Sequence, residues 1–216
     1  MALVLRYSFE RGTSSAVPDA SPSGLDGVLI NADPATAYTT GLPGRGRALT
    51  LVGASHQYVD VPQSPALDVN RFTIAALVRY TGVQNDATLG RWEVIEKAGA
   101  YWLNVRTDGR VRVGGFFGSC AGSGAWKYLD SVNPIPVNTW TRVAGTYNGS
   151  TLIVYVNGVR SARRSVSGTT CANDEPLAVG AKNAPALGLL EALWDGQLDE
   201  VRVYNRALGA AEIARL

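Results

Sequence analysis

Along most of its length the chain alternates apolar and polar residues in short runs separated by turn signals, and no run sustains a helical period. Strand-like segments are predicted at Leu3–Phe9, Phe72–Tyr80, Trp92–Lys97, Tyr101–Arg106, Val111–Phe117, Thr141–Tyr147, Thr151–Val156 and Gly196–Tyr204, among others. Successive side chains of a strand point to opposite faces, so this alternation suits sheets with one buried and one solvated face. The breaks at Asp108-Gly109, Asn148-Gly149 and Asn157-Gly158 favour tight hairpins, because Asn and Gly tolerate positive φ. Helices between the strands would be needed for a parallel sheet, and their period is missing. The chain therefore reads as all-β, two antiparallel sheets packed face to face, with residues 1–216 forming one domain and no linker dividing them.

The last two dozen residues add a second constraint. Alternation through Gly196–Tyr204 sets Leu198, Glu200, Arg202 and Tyr204 on one side and Asp199, Val201 and Val203 on the other. Asp199 thus shares a side with two valines. A lone buried carboxylate costs several kcal/mol unless a partner or a metal receives it. Asn205 to Leu216 then reads as a turn and a short C-terminal helix, anchored by Leu208, Ile213 and Leu216.

Charge narrows the partners. Twenty basic and eighteen acidic residues leave a net charge of +2, without the concentrated basic face that nucleic acid or an anionic membrane demands. Arg160, Arg163 and Arg164 cluster around a turn and read as a solvated loop. No stretch approaches the roughly 20 apolar residues of a membrane span, so no membrane insertion is expected. Residues 1–6 are too short for a signal peptide, and an export address would have to come from elsewhere. Cys120 and Cys171 lie in Gly/Ser/Thr-rich loops with no C-x-x-C motif and a single histidine, His56. They read as a disulfide joining two loops, with two unpaired surface thiols as the alternative. Such a bond would stabilise by about 4 kcal/mol and implies a secreted or extracellular protein.

Four segments, in order, resemble the LamG-like jelly-roll domains of the concanavalin A-like lectin/glucanase superfamily. They are Tyr7–Gly12 with Asp19–Gly27, then Gly46–Gly53 with Tyr58–Pro62 and Phe72-Thr-Ile, then Trp140–Gly158, and finally Gly196–Leu208. The resemblance implies a two-sheet antiparallel jelly-roll sandwich with one concave sheet. It also implies a binding or adhesion module, often attached to a secreted carbohydrate-active enzyme or a cell-surface protein. Relatives often hold a structural calcium between the chain start and the last strand. Asp199 matches the acid of that strand, and Asp19 and Asp26 lie in the Gly-rich loop near the first. The bland alternative is that Asp199 caps backbone N–H groups or pairs with an arginine.

Catalysis is not expected. The hydrolytic relatives carry alternating carboxylates as E-x-D-x-x-E, and this chain has no such run. Glu93 and Glu96 are three apart, which on a regular strand sends them to opposite faces. No nucleophile motif accompanies His56. Ligand binding remains. Sugar rings stack their C–H faces on exposed aromatics while their hydroxyls bond to polar side chains. Arg91-Trp92, Phe116-Phe117 and Trp126-Lys127-Tyr128 gather large aromatics near the Cys120 loop. Trp92, Trp126 and Tyr128 are the expected exposed platforms, with Arg91 beside them, whereas Trp140 and Trp194 are expected in the core. The function so predicted is non-catalytic, lectin-like binding of a glycan or polysaccharide. The alternative is a protein-interaction or adhesion domain of the same fold; a glycosidase or polysaccharide lyase is a weaker one.

Overall fold

The computed structural model describes residues 2–83, 89–118 and 124–216. In chain order its strands begin with β1 (Leu3–Tyr7), β2 (Ala16–Val17), β3 (Gly27–Ile30), β4 (Tyr38–Thr40), β5 (Arg47–Leu51) and β6 (Tyr58–Val61). There follow β7 (Phe72–Tyr80), β8 (Arg91–Lys97), β9 (Tyr101–Arg106), β10 (Arg110–Phe117), β11 (Ala125–Pro134) and β12 (Thr141–Tyr147). The series ends with β13 (Thr151–Val156), β14 (Val159–Ser165), β15 (Leu177–Val179), β16 (Lys182–Ala184), β17 (Leu189–Glu191) and β18 (Gly196–Tyr204). Two short helices, α1 (Pro34–Ala37) and α2 (Ala210–Ile213), complete the elements that matter here.

One sheet has the order β14-β13-β12-β7-β18-β5-β4, with β1 also paired to β18; the other runs β11-β10-β9-β8-β15-β6-β3-β2. β16 and β17 form a separate hairpin. This is the predicted antiparallel jelly-roll sandwich. Its core is the apolar layer between the sheets, where Leu5, Leu49, Ile74, Val78, Leu103, Val113, Val143, Val154, Trp194 and Leu198 are buried. Each large side chain so buried contributes roughly 1.5–3 kcal/mol. Trp194 is in the core as expected, whereas Trp140 is only half-buried.

β7 is buried on both faces. Phe72, Ile74, Ala76, Val78 and Tyr80 meet the core, and Ala75 on the outer face lies under Leu208 and Ile213 of the C-terminal tail. The tail therefore acts as a lid on the sheet it follows. The Asn157-Gly158 turn joins β13 to β14, with φ of 50° and 80° at its two residues. Asn and Gly are the residues that adopt this pair of angles cheaply, and they set the hairpin register.

Two expectations are corrected. Arg160, Arg163 and Arg164 are on β14, an edge strand, and are not a loop. Charge on an edge strand blocks pairing with another chain. The second concerns β18, where the pairing with β7 slips between Asp199 and Arg202 and Glu200 adopts φ 48°. This bulge inserts one residue and reverses the alternation. Leu198, Val201 and Val203 all enter the core, and Glu200 and Arg202 face out half-buried.

Candidate ligand-binding cleft

Four consecutive strands, β11-β10-β9-β8, present their outer face as the floor of a cleft of about 590 Å³. Register explains its contents. Trp126 and Tyr128 of β11 sit opposite Phe116 and Gly114 of β10, and Trp102 and Asn104 of β9 sit opposite Gly114 and Arg112. Side chains opposite one another share a face, so aromatic and polar groups alternate across the floor. The lip on the far side comes from the β16–β17 hairpin, through Lys182, Ala184 and the exposed Leu187.

Trp126 is 55% exposed and is buttressed by Trp102 and Phe116, whose ring centroids lie 5.3 and 5.0 Å away. Trp102 needs Gly114 beneath it, because a Cβ there would come within 2.5 Å of the indole. Tyr128, 42% exposed, is covered on one face by the Arg112 guanidinium at 3.8 Å. Arg112 is itself held by Asp130 through hydrogen bonds of 2.6 and 2.9 Å. Burial raises the pKa of Asp130, but hydrogen bonds from Arg112 and Arg106 outweigh it and hold the carboxyl below its ordinary value.

The floor near β8 departs from prediction. The β8–β9 pairing slips between Glu93 and Ile95, so that Val94 and Ile95 both enter the core. Glu93 sits opposite Asn104 and Glu96 opposite Trp102, which brings both carboxyls to the cleft side despite their spacing of three. Glu93 is fully buried and accepts hydrogen bonds from Arg91 and from Asn104 Nδ2. Burial raises its pKa, with the charge and hydrogen bond of Arg91 opposing. Glu96 is held well above the usual carboxylate range by burial and then by the charge of Glu93. Among the described residues, Asn104 Oδ1, Glu93 Oε2 and Glu96 Oε2 are buried and accept no hydrogen bond. Buried polar atoms are costly when unbonded, so such atoms in a cleft floor are the ones a ligand or a shared proton satisfies.

Of the residues expected to bind, Trp126, Tyr128 and Arg91 line this cleft together. Trp92 does not. It is 4% exposed, packs 5.5 Å from Tyr80 and donates its indole N–H to the carbonyl of Val83 at 2.8 Å. Its position one residue from Arg91 sends it inward, as strand alternation requires. Trp102, Asn104, Arg112 and Lys182 were not singled out in the sequence, and Glu96 was expected on the opposite face from Glu93. The signal for the first two was the even spacing of Trp102 and Asn104 on a strand whose other face, Tyr101, Leu103 and Val105, is wholly apolar or aromatic. A larger hollow, about 770 Å³ beside Pro65, Asp68, Asn70, Arg71 and Asn205, has no aromatic in its wall.

The acids expected to hold calcium do not converge. Among the described residues no three His, Cys, Asp or Glu side chains stand together as a metal site. Asp19 is occupied by its own loop. One oxygen accepts the N–H groups of Arg6 and Ser21, and the other accepts Ser21 Oγ–H and the N–H of Leu25. Asp26 Oδ1 accepts the N–H of Asp19. Asp199 stands apart, 1% exposed, with Oδ1 accepting the N–H of Glu200 at 2.6 Å and Oδ2 accepting nothing. Burial pushes its pKa up to about 7. Glu200 ties the last strand to the first, gripped by Arg6 through two hydrogen bonds of 3.1 and 2.9 Å. Cys171 is buried and no described cysteine is free; Cys120 lies outside the described residues.

A laminin-G family model described as "Concanavalin A-like lectin/glucanases superfamily" matches residues 53–214. No curated protein sequence matches the chain. Among solved structures, domain 4 of AbnA, an extracellular GH43 arabinanase from Geobacillus stearothermophilus in complex with arabinotriose, superposes with a TM-score of 0.70. It is 20% identical, and the match covers 99% of this chain and 98% of that one. The binding domain of Paraclostridial Mosquitocidal Protein 1 also gives 0.70, at 17% identity over 99% of this chain and 51% of its own. The binding domain of botulinum neurotoxin DC, in complex with rat synaptotagmin II, gives 0.66 at 13% identity over 99% and 50%. The chain thus spans about half of the two toxin binding domains, and these likenesses establish the fold.

Proposed function

Taking as premise that this chain belongs to the concanavalin A-like lectin/glucanase superfamily, we propose that it is a non-catalytic carbohydrate-binding module gripping a glycan in the β8–β11 cleft. One observation carries the reading: an exposed tryptophan, Trp126, borders a floor whose buried Asn104 Oδ1 accepts no hydrogen bond from the protein. A sugar ring stacks on the first, and its hydroxyls reach the second. The arabinotriose-bound arabinanase domain of the same fold supports this class of ligand. Glu93 does not suit a nucleophile's role, because it is fully buried and held by Arg91 and Asn104.

Isothermal titration against an oligosaccharide panel tests the reading. At least one member should bind, and Trp126→Ala should abolish binding while leaving the fold intact. Binding unaffected by Trp126→Ala would move the site elsewhere. A protein partner is the second reading, favoured by the exposed apolar side chains of Leu187 at the cleft rim, 71% exposed, and Val132 on β11, 59% exposed, and by the synaptotagmin complex of a structural relative.

A structural calcium is proposed at Asp199, whose buried Oδ2 accepts no hydrogen bond, with loop carbonyls as the remaining oxygens. Asp19 is left out because its oxygens already serve its loop. A Cys120–Cys171 disulfide, and with it export, is supported by the bridge between Phe117 and Thr170, which draws the two cysteine-bearing segments together.

A further inference from the structure

We infer that the β8–β11 cleft selects an uncharged oligosaccharide over an anionic or a cationic one. The inference rests on the glycan reading of that cleft and adds the charge of the ligand it takes.

The cations that line the cleft are already spent. Arg91 is bound by Glu93 and lies 3.8 Å from Glu96. Asp130 holds Arg112 through both of its oxygens. Lys182 pairs with Glu191 at 2.8 Å. An incoming carboxylate or sulfate would have to break one of these pairs, and removing one partner of a sheltered pair strands the other charge. It would also meet Glu175 in the wall.

Of the two acids in the wall, Glu96 presents an acid and not a carboxylate, which leaves a cationic sugar only Glu175. On its own strand Glu96 faces Arg91 and Glu93. From β16 and β17 it faces Lys182 with its partner Glu191, and the residues opposite it on β9 and β15, Trp102 and Ala178, are uncharged. Glu93 Oε2 and Glu96 Oε2 are both buried and both lack a donor. A single proton held between them satisfies the two atoms, and the burial that raises both pKa values keeps it there. Glu93 has Arg91 and Asn104 to support its charge, so the proton resides on Glu96. Apart from Glu175, what remains for a ligand is a set of neutral or neutralised hydrogen-bonding groups around Trp126, which suits hydroxyls.

The test is calorimetric titration of three oligosaccharide sets of matched length: neutral pentose and hexose oligomers, oligogalacturonates, and chitosan oligomers, each at low and at high salt. A neutral oligomer should bind with an affinity that salt leaves unchanged, and both charged sets should be weaker by at least about tenfold. An oligogalacturonate or chitosan oligomer that binds as tightly as the neutral one overturns the inference. Glu96→Ala should lose about tenfold or more of neutral-glycan affinity, and Glu96→Gln, which keeps the shape and a donor, should recover most of that loss. Wild-type affinity should fall once rising pH strips the shared proton, and Glu96→Gln should abolish that fall. A Glu96→Gln variant that is folded by near-UV circular dichroism yet binds no better than Glu96→Ala also overturns it. If no glycan binds, the glycan reading itself fails, and if Trp126→Ala changes nothing, the site lies outside this cleft; either result takes the inference with it. If Trp126→Ala abolishes binding but a charged set is preferred, the charge assignment alone fails.

Discussion

The guanidinium of Arg112 lies 3.8 Å from the centroid of the Tyr128 ring, and Asp130 fixes it there with two hydrogen bonds. Tyr128 therefore offers a ligand its second face and its hydroxyl, while Trp126 is the open platform beside it. The neighbours belong to one unit, because Asp130 also accepts from Arg106 at 2.7 Å.

Asp130→Asn should loosen this unit. Since the folded pKa of Asp130 is held below 3.8, its contribution is present above that value and is lost as pH falls through the folded value. Partial exposure limits the effect to about 1 kcal/mol. Urea titrations of wild type and variant should differ by that amount at pH 7 and converge in strong acid; a constant gap would refute the assignment.

Trp126 and Trp92 should separate binding from stability. Trp126→Ala is expected to cost glycan affinity at least about tenfold with little change in melting temperature, its ring being mostly exposed. Trp92→Ala removes a core ring and should destabilise by about 3–5 kcal/mol. Equal loss of stability in the two would contradict their burial.

Gly114 is expected to govern the shape of the cleft floor. A methyl group there meets the Trp102 indole at 2.5 Å and Lys127 O at 2.9 Å, so Gly114→Ala must lift the ring that supports Trp126. The near-UV spectrum should change and glycan affinity should drop several-fold, with the fold retained. An unaltered spectrum would show that the floor has room.

Asp199 should leave a mark on the pH dependence of stability. Its folded pKa is raised from 3.8 to about 7, so its contribution is full below the unfolded value and is lost as pH rises through the folded one. Each tenfold change in proton affinity is worth about 1.4 kcal/mol, so the loss amounts to a few kcal/mol at most. Asp199→Asn should flatten the profile between those limits and be the more stable form at neutral pH without calcium. If calcium binds there, the ion should raise the wild-type melting temperature and leave that of Asp199→Asn unchanged.

Cys171→Ser should destabilise by about 2–4 kcal/mol, and a reductant should do the same to wild type but nothing further to the variant. A wild-type melting temperature indifferent to reductant would remove the disulfide.

The sandwich was legible in the sequence because alternation and Asn-Gly or Asp-Gly turns are local properties, written residue by residue. Alternation puts Ile74 and Val78 of β7 in the core, while Trp126 and Tyr128, expected exposed as large aromatics near the Cys120 loop, stand two apart on one exposed face. Trp92 was misplaced because its size suggested a platform where parity directs the ring inward.

The sequence by itself determined the number of faces each strand must bury and where the chain must turn. Only the tertiary structure decided which side chains meet. The bulges after Glu93 and at Glu200 each add one residue to a strand, change no composition, and reverse the parity of everything beyond them. One brings Glu96 to the side of Glu93 in the cleft floor, and the other hands the tie with Arg6 to Glu200 and leaves Asp199 buried. A bulge answers to the partner strand's register, a long-range relation that no local window of sequence contains.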